Sequence, residues 1–101
     1  MAQPVYKVFL GKPKEAWYQL SQEEQKSHLA KSEESFKKTG GKRIVLCNSS
    51  WSSDQWSYFG LEEFPDIEAV QKHSEDLNKL NHFRYFESGM SLLGTKWELP
   101  R

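Results

Sequence analysis

The sequence predicts an α+β fold with elements in the order βαββαβ, and three observations carry that prediction. Short runs rich in β-branched and aromatic residues alternate with longer runs of Glu, Gln, Lys, Ala and Ser. Chain breakers fall where the composition changes, at Gly11-Lys12-Pro13, Gly40-Gly41 and Pro65-Asp66. The first and third strands carry apolar or aromatic residues on both sides of the pleat, as central strands of a sheet with two covered faces would.

The first strand is "VYKVFLG", Val5 to Gly11. From Pro13 to Thr39 the chain reads as helix, with a short turn carrying Trp17 and Leu20 ahead of it. Ser21-Gln-Glu-Glu24 supplies a capping box and Gly40-Gly41 the stop. "KRIVLCN", Lys42 to Asn48, is the second strand, "SSWSSD" a polar loop and "QWSYFGLEEF" the third strand. Pro65-Asp66 opens the second helix, whose Ile67, Val70, Leu77 and Leu80 keep helical spacing until Asn81-His82. "FRYFESGMSLLGTKWELP" reads as a fourth strand with a glycine bend and a tail. Right-handed crossovers in this order give the ferredoxin-like arrangement: a four-stranded antiparallel sheet with two helices on one face. The other face then needs a cover, which in so short a chain points to a second subunit.

The 101 residues are expected to form one domain, 1–101. Fourteen basic residues balance fourteen acidic ones, which removes the electrostatic footprint of a general nucleic-acid or anionic-membrane binder. No apolar run is long enough to span a membrane, and the N-terminus lacks the basic leader of a signal peptide, so a cytoplasmic location is expected. The single cysteine, Cys47, reads as a buried structural thiol.

With "GKPKEAWYQLSQEEQ" after the first strand, "YFGLEEFPDIEAV" joining third strand to second helix, and a closing "FRYFE", the chain resembles the dimeric α+β barrel superfamily, in an uncharacterised small-protein branch. The resemblance implies two subunits paired sheet to sheet, each with a pocket between its sheet and helices. It spans cofactor-independent monooxygenases, polyketide cyclases, dehalogenases, isomerases, haem enzymes and non-catalytic stress proteins, and selects none of these reactions.

Within that frame the candidate catalytic groups are His28, His82 and Tyr6. His28 borders the inner stripe of the first helix, where a histidine can act as acid or base near neutral pH, or can simply sit at the flank in water. His82 follows the second helix, where it either complements the helix dipole or reaches a pocket mouth. His73, in helical register between Val70 and Leu77, either points inward or sits at the boundary. Trp17, Trp56, Tyr58, Asn48 and Tyr85 are candidate substrate contacts: the rings for apolar area, Tyr85 and Tyr6 for a phenol to orient a substrate, Asn48 for an oxyanion or a plain turn. Lys7, charged on a central strand, must snorkel, pair with Glu62, Glu63 or Glu87, or meet a substrate carboxylate. The histidines lack paired metal-ligand spacing, so no metal is expected. No phosphate loop follows the first strand, so no cofactor is expected either. By analogy alone, His73 or His28 would be the haem ligand.

The expected function is binding of a small aromatic or polyketide-like molecule, with cofactor-independent cyclisation, isomerisation or oxygenation as the chemistry. The partners are a second copy through the sheet face and a small organic ligand, with no nucleic acid and no membrane. A non-catalytic dimeric module is the alternative. An RNA-recognition motif shares the topology, but Glu62 and Glu63 stand where its third strand would be basic.

Overall fold

The computed structural model describes residues 3–100. Their order is β1 (Val5–Pro13), α1 (Glu15–Tyr18), α2 (Gln22–Lys38), β2 (Lys42–Asn48), β3 (Tyr58–Phe64), α3 (Ile67–Lys79), α4 (His82–Tyr85) and β4 (Phe86–Gly94). The sheet is antiparallel with strand order β2-β3-β1-β4, so the first and third strands are central as the sequence predicts.

Local chemistry sets the helix ends. Ser21 Oγ accepts from the Glu24 amide at 3.1 Å while the Glu24 carboxylate accepts from the Ser21 amide at 3.0 Å, closing the capping box of α2. At its other end Gly40, at φ 84°, turns left-handed, and the Gly41 and Gly40 amides donate to the Phe36 and Lys37 carbonyls at 2.9 and 3.0 Å. Asp66 caps α3 by accepting from the Ala69 amide at 2.8 Å.

Two expected boundaries move. Phe83, Arg84 and Tyr85 are helical and not part of the fourth strand, because Asn81 ends α3 in the left-handed region at φ 56° and the chain makes one more turn, α4. The third strand starts at Tyr58, so Trp56 precedes it. Ser49 and Ser53 hydroxyls bond the Trp56 carbonyl and amide and hold that segment as a loop.

The helix layer meets the sheet in two clusters. At one end Phe36 of α2 and Ala69 and Val70 of α3 pack on Val5 and Phe64, with Phe64 fully buried. At the other end Trp17 of α1 packs on Phe86 of β4, with ring centroids 4.7 Å apart, and His28, His82 and Tyr85 join them. Lys14 fastens this second cluster, its amide donating to the Tyr85 carbonyl and its ammonium to the Phe83 carbonyl, each at 2.7 Å.

The face away from the helices carries two cross-strand rows: Val45, Leu61, Val8 and Leu92, then Cys47, Phe59, Leu10 and Met90. Every member is apolar, yet Val8, Val45, Phe59, Met90 and Leu92 are exposed. Cys47 lies on this face and is half-buried, not enclosed as expected. Among the described residues no helix is long and apolar enough to cross a membrane.

Phe64→Ala should lower unfolding stability by about 3 to 5 kcal/mol, the range for deleting a buried phenyl ring. Urea denaturation followed by circular dichroism measures it, and a loss under about 1 kcal/mol would show that this cluster does not anchor the helices.

Candidate functional site

Between the two clusters the helices stand clear of the sheet, and a cavity of about 910 Å³ opens there. Its floor is built from cross-strand rows on the helix-facing side of the sheet. One row runs Arg43, Glu62, Lys7, Leu93 and the next Leu46, Gly60, Phe9, Ser91. A Cβ on Gly60 would lie 2.6 Å from the Phe9 ring, so glycine there lets that ring lie across the sheet. Leu29, Ser32 and Phe36 of α2 and Val70, His73 and Leu77 of α3 form the roof, and His82, Phe83 and Phe86 close one end. Leu29, Leu46, Phe83 and Leu93 are exposed because they border this space.

The charged row is tied to the roof at one point. Arg43 holds Glu33 of α2 through Nη1 at 3.0 and 3.2 Å and Glu62 through Nη2 at 3.5 Å, and its guanidinium lies 4.9 Å from the Phe36 ring centre. Burial pushes the Glu62 carboxyl above its usual range, and the Lys7 and Arg43 charges oppose that shift. Lys7 forms no ion pair among the described residues.

Two histidine arrangements reach this space. His28 Nε2 and His82 Nδ1 are 2.9 Å apart, so one nitrogen donates and the other accepts. His82 lines the cavity, whereas His28 is buried behind it. Between α2 and α3, Ser35 Oγ lies 2.9 Å from His73 Nδ1 and 2.9 Å from Asp76 Oδ2. The carboxylate can only accept, so the single hydroxyl proton goes to Asp76 and His73 Nδ1–H donates to the serine. The neutral ring then keeps a bare Nε2.

Burial, reinforced by the Lys7 charge, lowers His73 to about 4. Burial with the charges of His28, His73 and Lys7 lowers His82 to about 4. His28 is lowered by burial and then by Lys31. Hydrogen bonds from Lys72 and Ser35 hold Asp76 below the usual carboxylate range. Burial raises Tyr58.

Of the residues singled out in the sequence, the structure brings His82 and Tyr58 to the cavity wall. His28, Trp17 and Tyr85 belong to the aromatic cluster behind it. Tyr6 alternates onto the opposite face, where the Glu63 carboxylate raises its phenol. Trp56 stands with Leu10 over Gly89 and leaves Tyr58 alone on the cavity side, because only Tyr58 is in the strand. Asn48 makes a turn, its Oδ1 accepting from the Ser50 amide and hydroxyl at 2.9 and 2.6 Å. His73 is buried against Phe36 and Phe64 and lines the cavity, so of its two readings the boundary one falls and the inward one holds. Arg43, Glu62, Ser35 and Asp76 were not singled out as site residues. Pairing of Lys7 with Glu62 was foreseen as an option; the register sets Glu62 between Lys7 and Arg43, and the ion pair it forms is with Arg43.

The histidines also decide which one suits a haem. An axial ligand needs a ring nitrogen free on the cavity side and benefits from a hydrogen bond on the other. His28 spends Nε2 on His82 and does not line the cavity, so His73, which lines it with Nδ1 bonded to Ser35, is the histidine that would hold such a group. Among the described residues no group of three or more His, Cys, Asp or Glu is arranged to hold a metal ion.

His73 and His82 stay neutral in the folded state at pH values where the unfolded chain protonates them. Their contribution to stability is therefore complete above about pH 6.5, the ordinary histidine value, and is lost as pH falls from there through about 4. Melting temperature should fall across that window, and more gently in His73→Gln. A flat wild-type profile between pH 6.5 and 4.5 would contradict the buried neutral histidines.

Neither a family model nor a curated protein sequence matches the chain. Solved structures do. A chlorite dismutase from Candidatus Nitrospira defluvii, in complex with imidazole, superposes with TM-score 0.77 at 12% identity, over 98% of this chain and 42% of that one. A single-site mutant of the same protein gives the same figures. A putative chlorite dismutase designated TA0507 superposes with TM-score 0.73 at 19% identity, over 94% of this chain and 46% of that one. The chain spans less than half the length of these neighbours. At such identities the likeness shows the fold alone, a ferredoxin-like arrangement of a four-stranded antiparallel sheet with helices on one face.

Proposed function

We propose that this domain binds a small, largely apolar organic molecule in the cavity between sheet and helices, and that His82 is the group placed for proton transfer on it. The observation that carries the reading is the cavity itself: about 910 Å³, with a wall surface mainly of leucine, phenylalanine and other apolar carbon, into which charged and polar side chains such as Lys7, Arg43, Glu62 and the histidines are set. That combination supplies affinity from apolar area and orientation from His82, His73 and Tyr58. In this reading His28 acts behind His82 as its hydrogen-bond partner, and Trp17 and Tyr85 hold the pair in place. The structural neighbours include chlorite dismutases, one of them bound to imidazole, which is compatible with a ligand site in this fold. Their reaction does not transfer to this chain on that basis.

The second element of the proposal is a homodimer through the open sheet face. Two rows of apolar side chains run the full width of the sheet, and an antiparallel sheet left in water would alternate apolar with polar. A second copy offers the same rows and is therefore self-complementary about a two-fold axis. This surface also supports the reading of a non-catalytic dimeric module, which differs from the first in leaving the cavity without a ligand.

Titration with 2-naphthol by calorimetry should show binding to the wild-type protein. Ser91→Trp, which adds a ring to the cavity floor from β4, should weaken binding by about tenfold or more while the circular dichroism spectrum is unchanged. Equal binding by both proteins would place the ligand elsewhere. Sedimentation equilibrium should give a dimer for the wild type and a monomer for Phe59→Glu. A wild-type monomer at tens of micromolar would refute the sheet-face dimer.

A further inference from the structure

We infer that the molecule taken by this cavity carries a carboxylate, and that Lys7 is the residue that recognises it. The inference rests on the ligand-binding reading above and adds to it the chemical class of the ligand.

Lys7 stands on the central strand β1 with its side chain on the helix-facing side, where it lines the cavity and is half-buried. A charged ammonium in such a place needs a partner or a path to water. The carboxylates near enough to serve are otherwise committed. Glu62, its register partner on β3, lies with Arg43, and Glu33 is held by the same guanidinium. Glu87 lines the other end of the cavity, opposite Lys12 and so five residues farther along β1. At about 3.3 Å per residue that is roughly 16 Å away.

Glu62 feels the Lys7 charge across the register, but its ion pair is with Arg43, and the other titratable groups around Lys7 supply no negative charge. His73 and His82 are neutral at physiological pH, and the Lys7 charge is among the causes that keep them so. His73 presents the bare Nε2 that follows from its bond to Ser35, an acceptor without charge. The surroundings of Lys7 on the floor are otherwise apolar, with Phe9 on its own strand and Leu93 beside it on β4. A fixed cation at the edge of an apolar, partly desolvated space favours an anion attached to an apolar body over a neutral molecule of the same shape.

The test compares 1-naphthoate with its neutral isostere 1-naphthamide by calorimetry at pH 7. Wild-type protein should prefer the carboxylate by about tenfold, the low end of what a charged hydrogen bond contributes. That preference should shrink with added salt and collapse in Lys7→Met, while Lys7→Arg retains most of it. Equal affinity for the two probes in wild-type protein would leave the cavity as a ligand site and overturn the carboxylate inference. A preference that survives in Lys7→Met would assign recognition to another residue and overturn it as well. Binding of neither probe would remove both the inference and the ligand reading beneath it.

Discussion

Separation of the helix layer from the middle of the sheet is the constraint on which the rest of this structure depends. Phe36, Ala69 and Val70 press on Val5 and Phe64 at one end, and Trp17, His28 and His82 press on Phe86 at the other. Protein interiors pack at crystal-like density, so space of the size seen between these clusters persists only if its walls are held from outside. The two aromatic clusters do that holding. They also explain why the fully enclosed core is small for the number of apolar side chains present. Many of those side chains border the cavity or the open sheet face and not one another.

A sheet built this way cannot satisfy both faces alone. On the helix side, the row Arg43, Glu62, Lys7 is polar because the cavity admits solvent or ligand to it. On the other side, the rows through Leu61 and Phe59 are wholly apolar. Charge on the face that the helices cover, and hydrocarbon on the face they leave open, invert the usual pattern of a monomeric two-layer domain. The inversion is intelligible if the nominally inner face borders a binding space and the nominally outer one is an interior shared between two chains.

Much of this was legible in the sequence. Element order, both helix caps and the central placement of β1 and β3 follow from signals within a few residues: the Ser21 capping box, Gly40-Gly41, Pro65-Asp66 and the two-sided apolar strands. The site was legible only in part, because its residues meet through tertiary register. The bond from His28 to His82 joins positions 54 apart, and that from Ser35 to His73 joins positions 38 apart. No local pattern announces either. Trp56 reads from composition as part of the third strand, a reading that fails once the serine hydroxyls of the preceding loop delay the strand. The α4 turn was hidden for a related reason: "FRYF" has good strand composition, and its helical form is held by Lys14, which lies 69 positions from Phe83.

The two buried histidine contacts differ in what they do with a proton, and the difference follows from counting hydrogens. Ser35 has one to give and Asp76 can only take it, so His73 has a single neutral form with Nδ1 protonated. It can offer the cavity an acceptor and nothing else until it is itself protonated. The pair of His28 and His82 is bistable. If His28 donates, the neutral His82 carries its proton on Nε2; if His82 donates through Nδ1, its Nε2 is bare. Passing from the first form to the second moves the shared proton from His28 Nε2 to His82 Nδ1, gives up the His82 Nε2 proton to the cavity and needs His28 Nδ1 to take one up, so the pair stays neutral only when both outer transfers accompany the inner one. A single residue with a fixed tautomer could take a proton or give one, but could not alternate between the two roles while neutral. In the proposed proton-transfer role of His82, His28 would be the partner that sets which of the two forms His82 presents, even though its own ring does not border the cavity.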